Sequence, residues 1–121
     1  MSKLTGKIFK TAQDTLSYDI EAASIALVMS VVEMIENKFG FQMIEGMPVI
    51  GFEDAVIVMT KDDIKIWVGW DIWSGLYVFA DEKSGDQTIQ DIGAFLDTKL
   101  SELEAIEKKI HEKIENEKKE K

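Results

Sequence analysis

Three apolar runs follow one another between residues 54 and 80, each too short for an ordinary helix. Asp54–Thr60, Ile64–Asp71 and Leu76–Ala80 are rich in Val, Ile, Trp, Tyr and Phe, the side chains that fit a pleated, half-buried surface. Lys61-Asp62-Asp63 and Trp73-Ser74-Gly75 separate them. Connections this short join only antiparallel neighbours, so the middle of the chain reads as a β-meander. Two weaker candidates precede it, Phe41–Ile44 and Val49–Phe52, and Pro48 marks the second as an edge.

Alternation assigns the faces of these strands. With Trp73-Ser74-Gly75 as the second loop, one face carries Val56, Val58, Ile64, Ile66, Val68, Trp70, Ile72, Leu76, Val78 and Ala80. It is apolar throughout, which makes it the core face. The opposite face carries Ile57, Met59, Trp67, Tyr77 and Phe79 among Lys65, Gly69, Asp71 and Asp81. In this register Trp67 lies opposite Ile57, and Phe79 opposite Gly69. An apolar, aromatic patch rimmed by charge calls for a cover. That cover is the chain's own terminal helix, a second subunit or a different protein. Trp and Tyr anchor interface centres, so Ile57, Met59, Trp67, Tyr77 and Phe79 form the candidate partner or dimer patch. Trp73, at the hairpin tip, joins them as a candidate contact.

Helical patterns flank the meander. Residues 13–39 read as a helix starting at Gln13 or Ser17, with Thr11–Asp14 a candidate capping box. Asn37-Lys38-Phe39-Gly40 ends it, with a lysine in the last turn and a glycine just past it. Ala22–Ile35 is apolar nearly all round, which predicts burial on more than one side. Leu4, Ile8, Ala12, Leu16 and Ile20 recur every four residues, so residues 1–12 are a possible helical arm. At the other end, Ser84 caps a long helix over 85–117, with Gln87 reaching back. Ile89, Leu96, Leu103 and Ile110 form a seam of period seven along it. Residues 118–121 are expected to fray. The whole is a single domain, 1–121, of class α+β: an antiparallel meander of three to five strands over 40–81, a buried N-terminal helix and a long C-terminal helix.

Composition narrows the function classes. The 121 residues are 45% hydrophobic, enough for one core. There is no cysteine, which removes disulfides, thiolate metal sites and cysteine nucleophiles. The 11-residue uncharged stretch 22–32 is far short of the ~20 needed to span a bilayer. The N-terminus has lysines but no apolar run behind them. A cytoplasmic protein with no membrane span is expected. All 14 basic residues are lysine, and the net charge is −9. Without arginine the preferred fork for phosphates and base edges is missing, which argues against nucleic-acid binding. Residues 40–100 hold four lysines against eleven acids, a negative field that favours a basic partner.

Catalytic and metal constellations are sparse. The one histidine, His111, falls on the charged C-terminal helix, with Glu107 and Glu115 on the same side. A solvated helix face explains that spacing better than a metal site does. No serine has a histidine base beside it in a recognisable pattern, and no Gly-rich phosphate loop is present. Asp81–Asp86 shares only its acid content with a calcium loop, since Lys83 stands where a ligand belongs. No cofactor, metal or catalytic residue is assigned.

No motif places the chain in a family. In outline, a small acidic chain of helix, meander and closing helix resembles bacterial immunity proteins and secretion chaperones. That resemblance implies a non-catalytic, acidic protein-binding domain, an immunity-type inhibitor or chaperone-type adaptor docking a basic protein. Two alternatives stand beside it. One is a self-associating structural dimer. The other is a small-molecule-binding domain or enzyme with a pocket between the sheet and the first helix.

Overall fold

The computed structural model describes residues 4–44, 49–50 and 54–119, except the side chains of 49, 50, 54 and 114–119. Pro48, the Gly51-Phe52 half of the second weak strand and the last two residues of the expected frayed tail lie outside them.

The chain is α+β, and its described residues form one antiparallel sheet and three α-helices. The strands are β1 (Lys7–Lys10), β2 (Leu16–Ile20), β3 (Gln42–Met43), β4 (Val49–Ile50), β5 (Asp54–Lys61), β6 (Ile64–Asp71) and β7 (Gly75–Ala80). Their order across the sheet is β1-β2-β7-β6-β5-β3, and β4 also pairs with β5. β3 pairs with Met59 and Thr60, β4 with Ala55 and Val56. These two short strands therefore lie end to end along one edge, and seven strands make a sheet six wide. The helices are α1 (Val28–Phe39), α2 (Asp86–Asp97) and α3 (Leu100–Lys119).

The sheet is wider than expected because the N-terminal segment is a hairpin, not a helical arm leading into a helix. β1 and β2 pair from Lys7↔Asp19 to Lys10↔Leu16. The four-residue recurrence of Leu4, Ile8, Leu16 and Ile20 suits a helix, but four is also a multiple of the strand period. The decisive pattern is local. Tyr18 and Ile20 are buried while Asp19 between them is half-buried on the other face. The expected capping box is the hairpin turn itself. Thr11 N–H donates to the Thr15 carbonyl at 2.7 Å, and Asp14 turns the chain at φ 66°, a conformation Asp tolerates better than most residues. Lys83 and Lys10 grip the Asp14 carboxylate at 2.7 and 2.9 Å. Their hydrogen bonds, Lys83's first, lower its pKa to about 2.

The first helix is correspondingly shorter. A 3-10 turn, Ile25–Leu27, leads into α1, whose buried residues are Val28, Val31, Val32 and Ile35. That is one stripe at i, i+3, i+4, i+7, not the all-round burial expected, and Met29 is exposed. Its end falls where the sequence places it. Gly40 adopts φ 78° and its N–H donates to the Glu36 carbonyl, the left-handed stop that glycine supplies without strain.

The long C-terminal helix is two helices. Thr98 Oγ1 donates to the Phe95 carbonyl at 2.6 Å, and Thr98 and Lys99 N–H groups turn back to Phe95 and Leu96. A β-branched hydroxyl residue offering the backbone this local partner competes with helix continuation. The Ser84 cap is also absent. Lys83–Gly85 form a 3-10 turn with no side-chain cap bond, and the first residue of α2, Asp86, instead accepts the Leu16 N–H of β2 at 2.9 Å. The apolar seam survives the break, with Ile89, Ile92, Leu96 and Leu103 all buried. Beyond Leu103, α3 packs on the 25–27 turn. There Glu107 accepts the Ser24 N–H at 3.0 Å and Glu104 the Leu4 N–H at 3.2 Å.

All three helices lie on one side of the sheet. α2 packs on β1, β2 and β7, and α1 on β6. Gly93 lets α2 approach closely, since a Cβ there would meet Tyr18 Cδ1 at 2.7 Å. The Tyr18 hydroxyl runs on to donate to Asp97 at 2.6 Å, and burial, then this carboxylate, pushes its pKa up. Phe39 of α1 meets Phe95 of α2 edge-on at 5.7 Å. The core cluster joins Tyr18, Ile57, Val68 and Val78 of the sheet to Val31, Ile35, Ile92, Leu96 and Leu103 of the helices. None of the described helices, and no member of that cluster, belongs to the opposite face of the sheet.

Candidate functional site

The face of the sheet that no described helix covers, called the open face although Ser17, Val58 and Gly69 on it are buried, is built from two adjacent rungs. One runs Phe9–Ser17–Phe79–Trp67–Val58 across β1, β2, β7, β6 and β5. The next runs Lys7–Asp19–Tyr77–Gly69–Val56. Trp67 and Phe79 face each other across the strands with rings nearly parallel, 5° apart in plane and 6.1 Å between centroids. Tyr77 tilts against Phe79 at 5.7 Å. The Tyr77 ring also lies across Gly69, where an added Cβ would come within 2.5 Å of its hydroxyl end. Glycine thus makes room for an aromatic lid on its own rung. These rings are only half-buried, and Phe9 at the flank is 42% exposed.

Polar groups frame the rings. Trp67 Nε1–H donates to Asp81 at 3.2 Å. Lys65 holds its ammonium 5.4 Å from the Trp67 ring centroid, within the range of a cation–π contact. A shallow depression of ≈ 320 Å³ opens beside this pair, lined by Gln13, Thr15, Trp67, Phe79 and Asp81. At the other end Ser17 Oγ donates to Asp19 at 2.5 Å. Desolvation raises the Asp19 pKa against that bond, and Glu21 and Asp71 raise it further.

Of the sequence-derived patch, the structure brings Trp67, Tyr77 and Phe79 together and removes Ile57 and Met59. Both are fully buried on the helix-covered face, opposite Val68 and Ile66. The cause is the first turn. Lys61 pairs with Ile64, so the loop is the two residues Asp62 and Asp63, with Asp62 at φ 54°. A three-residue loop shifts β5 by one position, and one position exchanges its faces. Val56 and Val58 take the places assigned to Ile57 and Met59. Within the second hairpin the shift is two residues and preserves the face: Trp67 lies opposite Phe79, and Gly69 opposite Tyr77.

Trp73 stands apart at the β6–β7 tip and is 83% exposed. Asp71 accepts the N–H groups of Trp73 and Ser74 at 2.9 and 2.6 Å, and Gly75 closes the loop at φ 72°. Ile72, assigned to the core by alternation, belongs to this three-residue loop and is 53% exposed. Phe9 and Ser17 enter the open face only because β1 and β2 are strands. Ser17-Tyr18-Asp19-Ile20, polar and apolar in turn, is the signal for them.

The space between the sheet and α1 is filled by Val31, Val32 and Ile35, none of which is exposed. His111 is exposed on α3, and Glu107 beside it is engaged by Ser24. Among the described residues no helix is long and apolar enough to cross a membrane. No family model, curated protein or solved structure matches this chain.

Proposed function

We propose that this chain is a non-catalytic binding domain that docks a basic protein on the open face of its sheet. The observation that carries this reading is the Trp67, Tyr77 and Phe79 cluster on the side of the sheet that none of the described helices covers. Half-buried aromatic rings on a rigid sheet lose little conformational freedom on binding and make good interface centres. The acidic balance gives the partner its sign. A second copy brings another net charge of −9 towards the same face and is repelled at low salt, while a basic protein is drawn in. An immunity-type inhibitor or a chaperone-type adaptor works in this way. The filled space between sheet and α1 supports docking over a pocket there.

The test pairs two measurements. Sedimentation equilibrium at low salt should give a monomer. The tagged chain should then retain basic proteins that a Trp67→Ala/Tyr77→Ala variant of unchanged circular dichroism does not. Raising salt from 50 to 300 mM should weaken that retention. An identical captured set for wild type and variant would refute the docking face. A tight dimer dissociated by the same two substitutions would show that the face is consumed by self-association.

A further inference from the structure

The docking reading leaves open what part of a basic partner the open face grips, and Lys65 points to an answer. Its ammonium lies over the Trp67 ring, although Lys65 is exposed on the central strand β6 in a chain with 23 acids. The ring is a better cation seat than most. Indole has the strongest ring quadrupole of the side chains, and the Phe79 ring stacked beside it shields it from water. Asp81 completes the seat. One of its oxygens accepts the Trp67 indole N–H, and the other makes no hydrogen bond or ion pair with a described residue. Trp67, Phe79 and Asp81 border one depression of ≈ 320 Å³, the volume of the smallest ligand sites and room for one side chain but not for a folded element.

We infer that, in the docking mode proposed above, an arginine side chain of the partner occupies this seat, and that Lys65 is a resident cation it displaces. Arginine suits the geometry better than lysine does. Its planar guanidinium stacks on an indole face while its N–H fork reaches a carboxylate at the rim. Guanidinium is also the more weakly hydrated cation and gives up water more readily. The chain itself has no arginine, so a second copy cannot supply the group. Gln13 and Thr15, from the β1–β2 turn, wall the depression beside Trp67 and Asp81 and direct the incoming chain along the sheet face.

The displacement makes an unusual prediction: removing a positive charge helps, beyond any general charge effect. The probe is N-acetyl-arginine amide, with N-acetyl-citrulline amide as its uncharged isostere. The readout is the Trp67 indole N–H resonance of the ¹⁵N-labelled full chain, one of three indoles. Arginine amide should shift it saturably at millimolar concentration, and citrulline amide should not. Lys65→Gln should tighten arginine binding about threefold, the weight of one exposed cation–π contact, while Lys61→Gln, which removes the same charge away from the ring, leaves it nearly unchanged. Asp81→Asn should weaken it severalfold with the rest of the spectrum intact. Equal binding of citrulline, an unmoved Trp67 resonance, or equal gains from Lys65→Gln and Lys61→Gln would overturn the assignment. Tighter binding of free arginine than of the capped form would also overturn it, in favour of a small cationic ligand. Should the probe fail while Trp67→Ala still abolishes retention of basic proteins, only the arginine seat falls and the docking face stands.

Discussion

Ile66 and Trp67 are neighbours on β6 and point to opposite faces, so alanine at each, in separate proteins, compares the two sides of the sheet directly. Ile66 is fully buried against the helices. Removing its side chain there loses transfer energy and leaves a cavity, about 2–5 kcal/mol. Trp67 is the larger residue but only half-buried. Its truncation loses the stack on Phe79, about 0.5–1.5 kcal/mol, and the Lys65 contact, about 0.5–1 kcal/mol. Asp81 is exposed and takes water in place of the indole N–H. Both losses come on top of the apolar area the ring buries, about 1–2 kcal/mol for a partly buried side chain. The expected cost is therefore about 2–4.5 kcal/mol, no greater than that of Ile66→Ala despite the larger side chain removed. With a urea m-value of roughly 1.5 kcal/mol/M, the midpoint should fall by about 1.5–3 M for either variant. Far-ultraviolet circular dichroism follows both transitions without depending on the lost indole. A Trp67→Ala cost clearly above that of Ile66→Ala would mean the open face is covered, and the reasoning would fail.

Three further outcomes follow from the same geometry. Tyr18→Phe keeps the ring packed against Gly93 and removes only its bond to Asp97; it should cost about 1.5–2 kcal/mol in urea unfolding, and a cost near zero would remove that bond from the account. Ser24 Oγ is buried without a hydrogen-bond partner, so Ser24→Ala should leave stability unchanged or raise it, with a loss above about 1 kcal/mol counting against the described position of the hydroxyl. Asp19 and Asp14 should act oppositely with pH. The folded-state pKa of Asp19 is raised, so its stabilising share is complete below the unfolded value, near 3.9, and is lost as pH rises through the folded value. Asp19→Asn should then stabilise at pH 7 and cease to do so by pH 3. Asp14, held at about 2, contributes above its unfolded value and loses that contribution as pH falls towards 2. Asp14→Asn should therefore narrow its deficit on acidification, measured by thermal melts from pH 7 to 2.5.

How far the sequence could be read depended on which signals are local. The meander, the Gly40 stop and the apolar seam through Leu103 rest on turn chemistry and on periodicity within one element, and these parts of the α+β reading appear in the structure. The face of β5 depended on one residue of loop length. Lys61 can close the first turn or belong to it, and only the pairing with Ile64 decides. Ile57 and Met59 were misplaced for that reason alone, whereas the two-residue shift of β7 left Trp67, Tyr77 and Phe79 where alternation puts them. The N-terminal hairpin was hidden by a four-residue recurrence common to helix and strand, and with it Phe9 and Ser17 of the open face. The break at Thr98 arises from a hydroxyl reaching its own backbone, a contact to which the apolar pattern is blind. Lys65 is two residues from Trp67, as on any strand, and its place over the ring is a side-chain choice no sequence period records.

Exposure of the aromatic rungs to solvent is the most direct measurement. A soluble nitroxide added to the labelled chain should clearly broaden the Trp67 indole and Phe79 ring signals, though less than those of the tip residue Trp73. The methyl groups of Ile66 and Val68, one residue away along β6, should stay sharp. Trp67 and Phe79 signals protected as well as those of Ile66 would contradict the open face and every functional statement built on it.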